Sequence, residues 1–428
     1  MIATAPGRQP EGQAGRLTIP GSAIGARYLG RALSSHFQPI FSIAHRRAVG
    51  FEGLVRAQRG DGRPEPPAEL LSLPQTGREM LELDRICRSL HMQNFVRQHS
   101  DDAWLFLNLN SQCLVRERPD IGFTRKLLDH CGLPARRLVI EIIENRVDDP
   151  ARLQQFIGHF RQLGCLIAID DFGAGHSNFD RVWELEPDIV KIDRGLVRRA
   201  AGSRRVERIL TGLVALIHEA GSLVVLEGVE TEEEALVAIA ANADMVQGYF
   251  LARPQPLVSP HREVTGRIDR LLRGRQWQRP RHHGGPGEDL QLFEGQFRQA
   301  VEDYSRYRRF EQSGARLFAD PRVVRCYLLD EAGYQMTRNL YAPHYRQRLN
   351  PRFTPLLCGG NANWSHKHYH YRALQEAGKT QISQPYLSVA DSRMCITLSQ
   401  TVNTGDRLQV FCCDLDWQEP QAAGFVAC

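Results

Sequence analysis

The stretch Ile167 to Arg194 reads IAIDDFGAGHSNFDRVWELEPDIVKIDR, and it holds two apolar runs that each end abruptly in charge. Ile167, Ala168 and Ile169 form a short β-prone run that breaks into Asp170 and Asp171, after which Gly173 and Gly175 supply a tight turn. A second short run, Asp188 to Ile192, delivers Lys191, and a helix-sized segment separates the two. Two adjacent carboxylates repel one another, so they stay ionised cheaply only when a cation, a metal or strong donors share their site. By itself the stretch admits two readings: a strand ending in a functional acid pair, or an Asp-Asp turn that caps a helix.

The flanking sequence repeats the pattern. From Phe37, FQPIFSI and AVGFEGLVR read as two strands joined by a turn around His45 and Arg46, the second delivering Glu52 and Arg56. A Pro-rich connection leads to an amphipathic helix from Arg78 to Gln98, with Leu81, Ile86, Leu90 and Phe95 at helical spacing. WLFLNLN ends in Asn108 and Asn110; a helical stretch to Cys131 follows, and then RLVIEIIEN with Glu141 and Glu144 near its exit. Beyond the opening stretch, a helix of roughly Ser203 to Ala220 precedes SLVVLEGVE, which carries Glu227 and Glu230. A short helix over Glu232 to Ala241 then leads to DMVQGYFLARP with Gln247. Each strand candidate finishes in a residue able to bind a cation or move a proton.

Repeated strand and helix units imply parallel strands with right-handed crossovers, and about eight of them close into a barrel of roughly 250 residues. The predicted fold is α/β, a TIM-like (β/α)8 barrel over residues 31–257. In such a barrel the C-terminal strand ends converge on one face, so Glu52, Asn108, Glu141, Asp170, Asp171, Lys191, Glu227 and Gln247 ring a common site. Singly, an acid after a strand is commonly a helix cap. Together, the carboxylates in one mouth require cations. Hard oxygen donors without a Cys or His cluster point to Mg²⁺ or Mn²⁺, and a pair of such ions suits phosphodiester hydrolysis.

The totals fit a protein of two or three domains: 428 residues, 42% hydrophobic and 24% charged. A net charge of +5 accommodates an anionic ligand without suggesting a duplex nucleic-acid binder. The ten cysteines are scattered, none has zinc-ligand spacing, and no signal-like segment stands out, so a cytoplasmic location is expected. No apolar run approaches the ~18 residues of a membrane span. Residues 1–30, rich in Gly, Ala, Pro and Arg, read as a flexible leader.

In order along the chain, EGLVR (Glu52 to Arg56), LNLN (Leu107 to Asn110), EIIE (Glu141 to Glu144), DDFGAGHS (Asp170 to Ser177), KID (Lys191 to Asp193), EGVE (Glu227 to Glu230) and QGY (Gln247 to Tyr249) resemble the motifs of the EAL-domain cyclic di-GMP phosphodiesterases. The resemblance covers Phe37 to Pro256 and implies hydrolysis of cyclic di-GMP to linear pGpG in a homodimer. It implies one metal on Glu52, Asn108, Glu141 and Asp170, with Asp170 and Asp171 holding a second. Lys191, Glu227 and Gln247 would position and polarise the attacking water, and Arg56 would bind the ligand's phosphate. Glu144 would steady the loop Asp171 to Ser177, and Glu230 would support substrate binding. A non-catalytic cyclic di-GMP receptor is the competing class, and its members usually lack one or more of these residues. Three features depart from the family: Gly53 replaces the signature alanine, His176 replaces a common aromatic, and the wording from Pro74 to Arg78 differs. At Gly53 a slightly looser backbone is expected.

Residues 258–288 read as a basic connecting helix and a Gly/Pro linker, and residues 289–428 as a small α+β domain. Its amphipathic helix, Asp289 to Phe318, precedes the β-prone runs VVRCYLLD, GYQMTR, QISQPYLS, MCITLSQTV and RLQVFCCDLDW. This resembles Cache or PAS-like sensors. The resemblance places Trp364, Tyr371, Arg372, Tyr386 and Asp416 around a small-ligand pocket, unless the aromatics are core and the charges surface pairs. His366, His368 and His370 alternate and would share one face of a strand, as a metal pair or as exposed loop residues. A small molecule or protein partner of this domain is expected to tune the barrel through the dimer.

Overall fold

A computed structural model of the chain describes residues 17–18, 24–98, 102–109, 121–143, 150–174, 180–258, 262–273, 288–345, 350–357, 359–389, 393–405 and 407–417. Eight strands close into a barrel: β1 (Arg31–Ser42), β2 (Arg47–Gln58), β3 (Trp104–Leu109), β4 (Leu138–Ile143), β5 (Leu166–Phe172), β6 (Ile189–Ile192), β7 (Leu223–Leu226) and β8 (Met245–Val246). Strands β2 to β8 run parallel to their neighbours, whereas β1 is antiparallel to both β2 and β8. The expectation of a wholly parallel barrel is corrected at this one strand. The turn between β1 and β2 spans only a few residues, with Arg46 at φ 54°, and a parallel pair would need a crossover of about a dozen or more.

The crossover helices are α1 (Gly77–Arg97), α2 (Ile121–Cys131), α3 (Pro150–Leu163), α4 (Asp180–Leu185), α5 (Arg194–Ala201), α6 (Arg204–Glu219) and α7 (Glu232–Ala240); α8 (Arg262–Arg273) follows β8. Their starts are written locally. Thr76 with Glu79, and Thr231 with Glu234, form capping boxes, and Ser203 caps α6.

Period two sorts the barrel residues. Leu105, Ile140, Ile167, Val190 and Val224 face outward and bury under the helices. Trp104, Phe106, Val139, Leu166, Ala168, Ile189, Leu223, Val225 and Met245 belong to a separate interior core. Gly50 makes room for Phe106: a Cβ there would stand 2.5 Å from the ring.

A second, smaller sheet follows helices α9 (Glu288–Tyr307) and α10 (Phe310–Arg316). Its strands are β9 (Val323–Asp330), β10 (Leu340–Tyr341), β11 (Gln381–Ile382), β12 (Tyr386–Leu387), β13 (Met394–Asn403) and β14 (Leu408–Asp416), all antiparallel, in the order β10-β9-β14-β13-β11 with β12 also on β13. One long helix over 289–318 was expected; it is broken where Arg308 adopts φ 57°. GYQMTR contributes only isolated bridges. His368 and His370 lie on α11 (His368–Gln375), so the three histidines do not alternate along a strand.

One face of this sheet packs under Phe293, Phe297, Val301 and Phe310. The other face presents Tyr327, Leu329, Val410 and Cys412, together with Phe353, Leu356 and Trp364, to the interior core of the barrel at its lower end. Polar contacts fasten the join. Arg352 Nη2 donates to Asp188 Oδ2 (2.7 Å) and to the Cys165 carbonyl (2.8 Å), and Trp104 Nε1 donates to the Arg352 carbonyl (2.9 Å). Lys367, buried, donates to Asn242 Oδ1 at 2.8 Å. Arg46 pairs with Asp269 on α8 at 3.0 Å and lies over the Tyr334 ring at 4.8 Å. Among the described residues no helix is long and apolar enough to cross a membrane, and the described cysteines are free thiols.

Candidate active site

At the upper end of the barrel the inward columns stop being apolar. Above Phe106 comes Asn108, above Val139 Glu141, above Ala168 Asp170, above Ile189 Lys191, above Val225 Glu227 and above Met245 Gln247, while β2 contributes Glu52. Seven of the eight residues expected to ring one site are thereby brought to the same end of the barrel, and Asp171 follows Asp170 there.

Lys191 sits at the centre of the ring and is almost wholly buried. Its ammonium lies 2.5 Å from Glu141 Oε1, 2.5 Å from Glu227 Oε1, 3.1 Å from Asp170 Oδ1 and 3.7 Å from Glu52 Oε2. Burial disfavours its charge, but Asp170, Glu141, Glu227 and Glu52 outweigh that penalty and hold its pKa well above the usual lysine value. The same crowding acts oppositely on the acids. Burial, Glu52 and Asp170 raise the Glu141 pKa well above the ordinary carboxylate range against the pull of Lys191. Glu227 is raised in the same way, by burial and by Asp170 and Glu52. Glu52 is oriented from two sides: Asn108 Nδ2 donates to Oε1 and Gln247 Nε2 to Oε2, each at 2.8 Å.

Asp170 and Asp171 both reach the mouth because β5 is irregular. Its register with β6 shifts between Ile169 and Phe172, and Asp171 adopts φ 55° ahead of Gly173 at φ 93°. Burial and Asp170, with Asp193 behind, raise the pKa of Asp171.

The donor set suits a hard divalent cation. Oxygens of Asp170, Asp171 and Glu227 lie within 4.8 Å of one another. Both carboxylate oxygens of Glu141, Oδ1 of Asp170 and Oε1 of Gln247 are buried without a hydrogen bond, and the ammonium of Lys191 stands beside the first two residues. Such oxygens are costly to bury unless something cationic completes them. Glu227, which the resemblance has position and polarise the attacking water, stands inside the Asp170–Asp171 oxygen group.

Arg56 follows Glu52 on the same face of β2, is half-buried, and donates to the Val55 carbonyl at 2.9 Å. Glu230 Oε2 accepts from Arg194 Nη2 at 2.5 Å. Glu144 and His176 lie outside the described residues. The five expected pocket residues of the second sheet take different surroundings. Trp364 is buried, donates to Gln335 Oε1 at 3.0 Å and meets His45 edge-on. Tyr371 is buried on α11 beside His368, Arg372 is half-buried next to it, and Asp416 is half-buried at the end of β14. The carboxylate that Tyr386 approaches is Asp414, at 3.5 Å, rather than Asp416.

Two residues escaped the sequence reading. His91 on α1 fills the space behind Gly53, where a Cβ would stand 2.9 Å from its ring and 3.0 Å from Leu107. Its Nδ1 meets Ser35 Oγ at 2.9 Å, and burial with the nearby Arg56 charge pushes its pKa down to about 3. The expected looser backbone at Gly53 is therefore a packed one. Gly53→Ala should cost about 1–3 kcal/mol by overpacking, and a cycle with His91→Ala should show at least about 1 kcal/mol of coupling in urea unfolding. Additive effects would rule out this packing account. Arg194, the other omission, had one sequence signal: the glycine in EGVE, over which its side chain passes.

The sequence profile of the EAL domain family matches residues 27–254. Among curated relatives, the cyclic di-GMP phosphodiesterase RocR of Pseudomonas aeruginosa is 35% identical over 131 residues, 30% of this chain and 33% of that protein. The probable cyclic di-GMP phosphodiesterase PdeB of Escherichia coli is 31% identical over 209 residues, 48% of this chain and 39% of that protein. The chain spans 28–32% of the length of the first curated relatives it matches. Among solved structures, the YkuI protein of Bacillus subtilis, with an EAL domain, in complex with substrate c-di-GMP and calcium, is similar in fold. Its TM-score is 0.50 at 21% identity, over 90% of this chain and 97% of that one.

Proposed function

This chain belongs to the EAL domain family, and from that premise we propose that it hydrolyses cyclic di-GMP to linear pGpG with Mg²⁺ or Mn²⁺. The observation that carries the reading is the intact ring: Lys191 among Glu52, Glu141, Asp170 and Glu227, with Asn108 and Gln247 holding Glu52. Members of the receptor class usually lack one or more of these residues, and all seven stand in this ring, which supports hydrolysis over binding alone.

In this reading Glu52, Asn108, Glu141, Asp170 and Asp171 hold the metals, and Glu227 joins or borders them. Ions so placed supply charge neutralisation of the phosphodiester and a bound water of lowered pKa. Lys191 keeps its proton and faces the scissile phosphate as a fixed cation. Glu227, 2.5 Å from Lys191 and within the Asp170–Asp171 oxygen group, is the ring acid placed to accept the water's proton. Arg56 takes a phosphate oxygen at the rim. Turnover of cyclic di-GMP with Mg²⁺ or Mn²⁺, followed by chromatography of the product, tests the proposal. Binding without a linear product at any metal concentration would leave the receptor reading in its place.

The second domain is read as a sensor for a small molecule or protein partner. Its route to the site is supported less through the dimer than through the barrel floor, where Arg352 grips the starts of β5 and β6, the strands that deliver Asp170 and Lys191. Deleting residues 289–428 would bare Trp104, Leu166 and Leu223, so point variants are the sounder probe. Arg352→Ala leaves Asp188 short of its partner and should cost about 1–3 kcal/mol, read as a lowered thermal midpoint. It should also change kcat by more than threefold; a variant that melts lower yet turns over as wild type would detach the floor contact from regulation.

A further inference from the structure

The mouth of the barrel carries a guanidinium that the reading above does not use. Arg194 opens α5, directly after β6 and its cap Asp193. Its side chain is laid across the backbone of Gly228, the residue after Glu227. A Cβ on Gly228 would stand 2.5, 2.6 and 2.8 Å from Cβ, Cγ and Cδ of Arg194, and Gly228 has φ +59°. The head group then donates to Glu230 Oε2 at 2.5 Å, yet the side chain remains 46% exposed.

The loop that receives it is fixed from several sides. Glu234 Oε2 accepts from the amides of Glu230 (2.6 Å) and Thr231 (3.2 Å), and the Val229 amide donates to the Gln247 carbonyl at 3.0 Å. Gly248 lies so close to Val229 that a Cβ would stand 2.0 Å from its carbonyl oxygen. On the opposite side Leu196 of α5 backs Gly173, in the turn after Asp171; a Cβ on Gly173 would be 3.5 Å from it. Arg194 is therefore a cation preset on the Glu227 edge of the mouth, at the head of the helix whose Leu196 backs the turn after Asp171. An exposed ion pair stabilises a fold very little, and a solvated arginine needs no glycine corridor. A planar fork with one edge held by a carboxylate and the other open suits an incoming phosphate.

We propose that Arg194, held over Gly228 by Glu230, binds the second phosphate of the dinucleotide, the one not at the Lys191 ring, and so selects the substrate. Glu230 is then a positioning residue. The inference rests on the reading of the chain as a cyclic di-GMP hydrolase.

Arg194→Ala should raise KM for cyclic di-GMP about tenfold or more with a much smaller change in kcat, and weaken its dependence on salt. The loss in kcat/KM should be at least about tenfold larger than for bis(p-nitrophenyl) phosphate, which offers one phosphodiester only. Arg194→Lys should fall between, Glu230→Gln should move KM the same way, and Arg194→Ala/Glu230→Gln should be no worse than Arg194→Ala. An unchanged KM, or equal losses on both probes, overturns the inference. If the wild type binds cyclic di-GMP without cleaving it, calorimetry with Ca²⁺ replaces turnover: Arg194→Ala weakens Kd about tenfold, and an unchanged Kd overturns it. A wild type that neither binds nor cleaves the dinucleotide removes the underlying reading and this inference with it.

Discussion

Asp170→Asn lowers cyclic di-GMP turnover by about 10³-fold or more, a loss of about 4 kcal/mol in transition-state stabilisation, while the fold remains. The reasoning starts from the metal-free ring. Its carboxylates crowd one ammonium, and Asp170 Oδ1 lies 3.1 Å from that ammonium with no hydrogen bond of its own. Asn keeps the shape and removes one negative charge, which relieves repulsion among Glu52, Glu141, Glu227 and Asp171. The metal-free protein should accordingly melt no lower than wild type. What is lost is affinity for a divalent ion, so Mn²⁺ should raise the thermal midpoint of the wild type but hardly that of Asp170→Asn. Lys191→Met gives the contrast. It too loses turnover, but it strands buried acids without their cation, so its metal-free form should melt lower and Mn²⁺ should restore much of the difference. Turnover by Asp170→Asn within tenfold of wild type would exclude the two-metal reading.

Asp414→Ala destabilises the chain by about 3–5 kcal/mol, the scale of a buried ion pair broken on one side. Asp414 is almost wholly buried on β14. It accepts from Arg325 Nε at 2.7 Å, Thr397 Oγ1 at 2.8 Å and Tyr327 OH at 3.2 Å, while Tyr327 OH meets Tyr369 OH at 3.1 Å. Arg325, across the sheet on β9, is held by Asp414 as an obligate cation, well above even the usual arginine pKa despite its burial. Removing the acid leaves that guanidinium dry and unpaired. Arg325→Met on the Asp414→Ala background should recover a good part of the loss, because apolar replacement of both partners removes the uncompensated charge. Urea unfolding followed by tryptophan fluorescence reads both; a loss below about 1 kcal/mol for Asp414→Ala would mean that water reaches the cluster. Tyr327 and Tyr369 also face the barrel-floor core, so the loss should be felt by the whole chain rather than by the second sheet alone.

The barrel was legible because its information is local. An inward apolar residue followed two places on by a polar one, repeated at each strand end, needs only the period of a β-strand to be read. β1 is the exception to the repeat of parallel strands: alternation says nothing of strand polarity, and the short turn at His45 and Arg46 excludes a parallel partner. The second domain was harder. Its chemistry-bearing residues were chosen by residue type, and the buried charge on β14 proved to be Asp414 rather than Asp416: the two share a face of the strand, but Asp414 lies between Arg325 and Thr397 inside the sheet while Asp416 ends the strand, and a sequence carries no record of how far along a strand its neighbours cover it.

The sequence by itself therefore determined the barrel, the ring residues and their charge, all of which follow from short-range periodicity and residue chemistry. Tertiary structure decided how that charge is arranged: Lys191 within 2.5 Å of both Glu141 and Glu227, Glu52 held by Asn108 and Gln247, and Asp171 turned to the mouth by the irregularity of β5. It also decided that His91 occupies the space beside Gly53, that Arg194 crosses Gly228, and that the second sheet closes the barrel floor. These are contacts between residues far apart in the chain, and the burial that sets their energies exists only once the chain has folded.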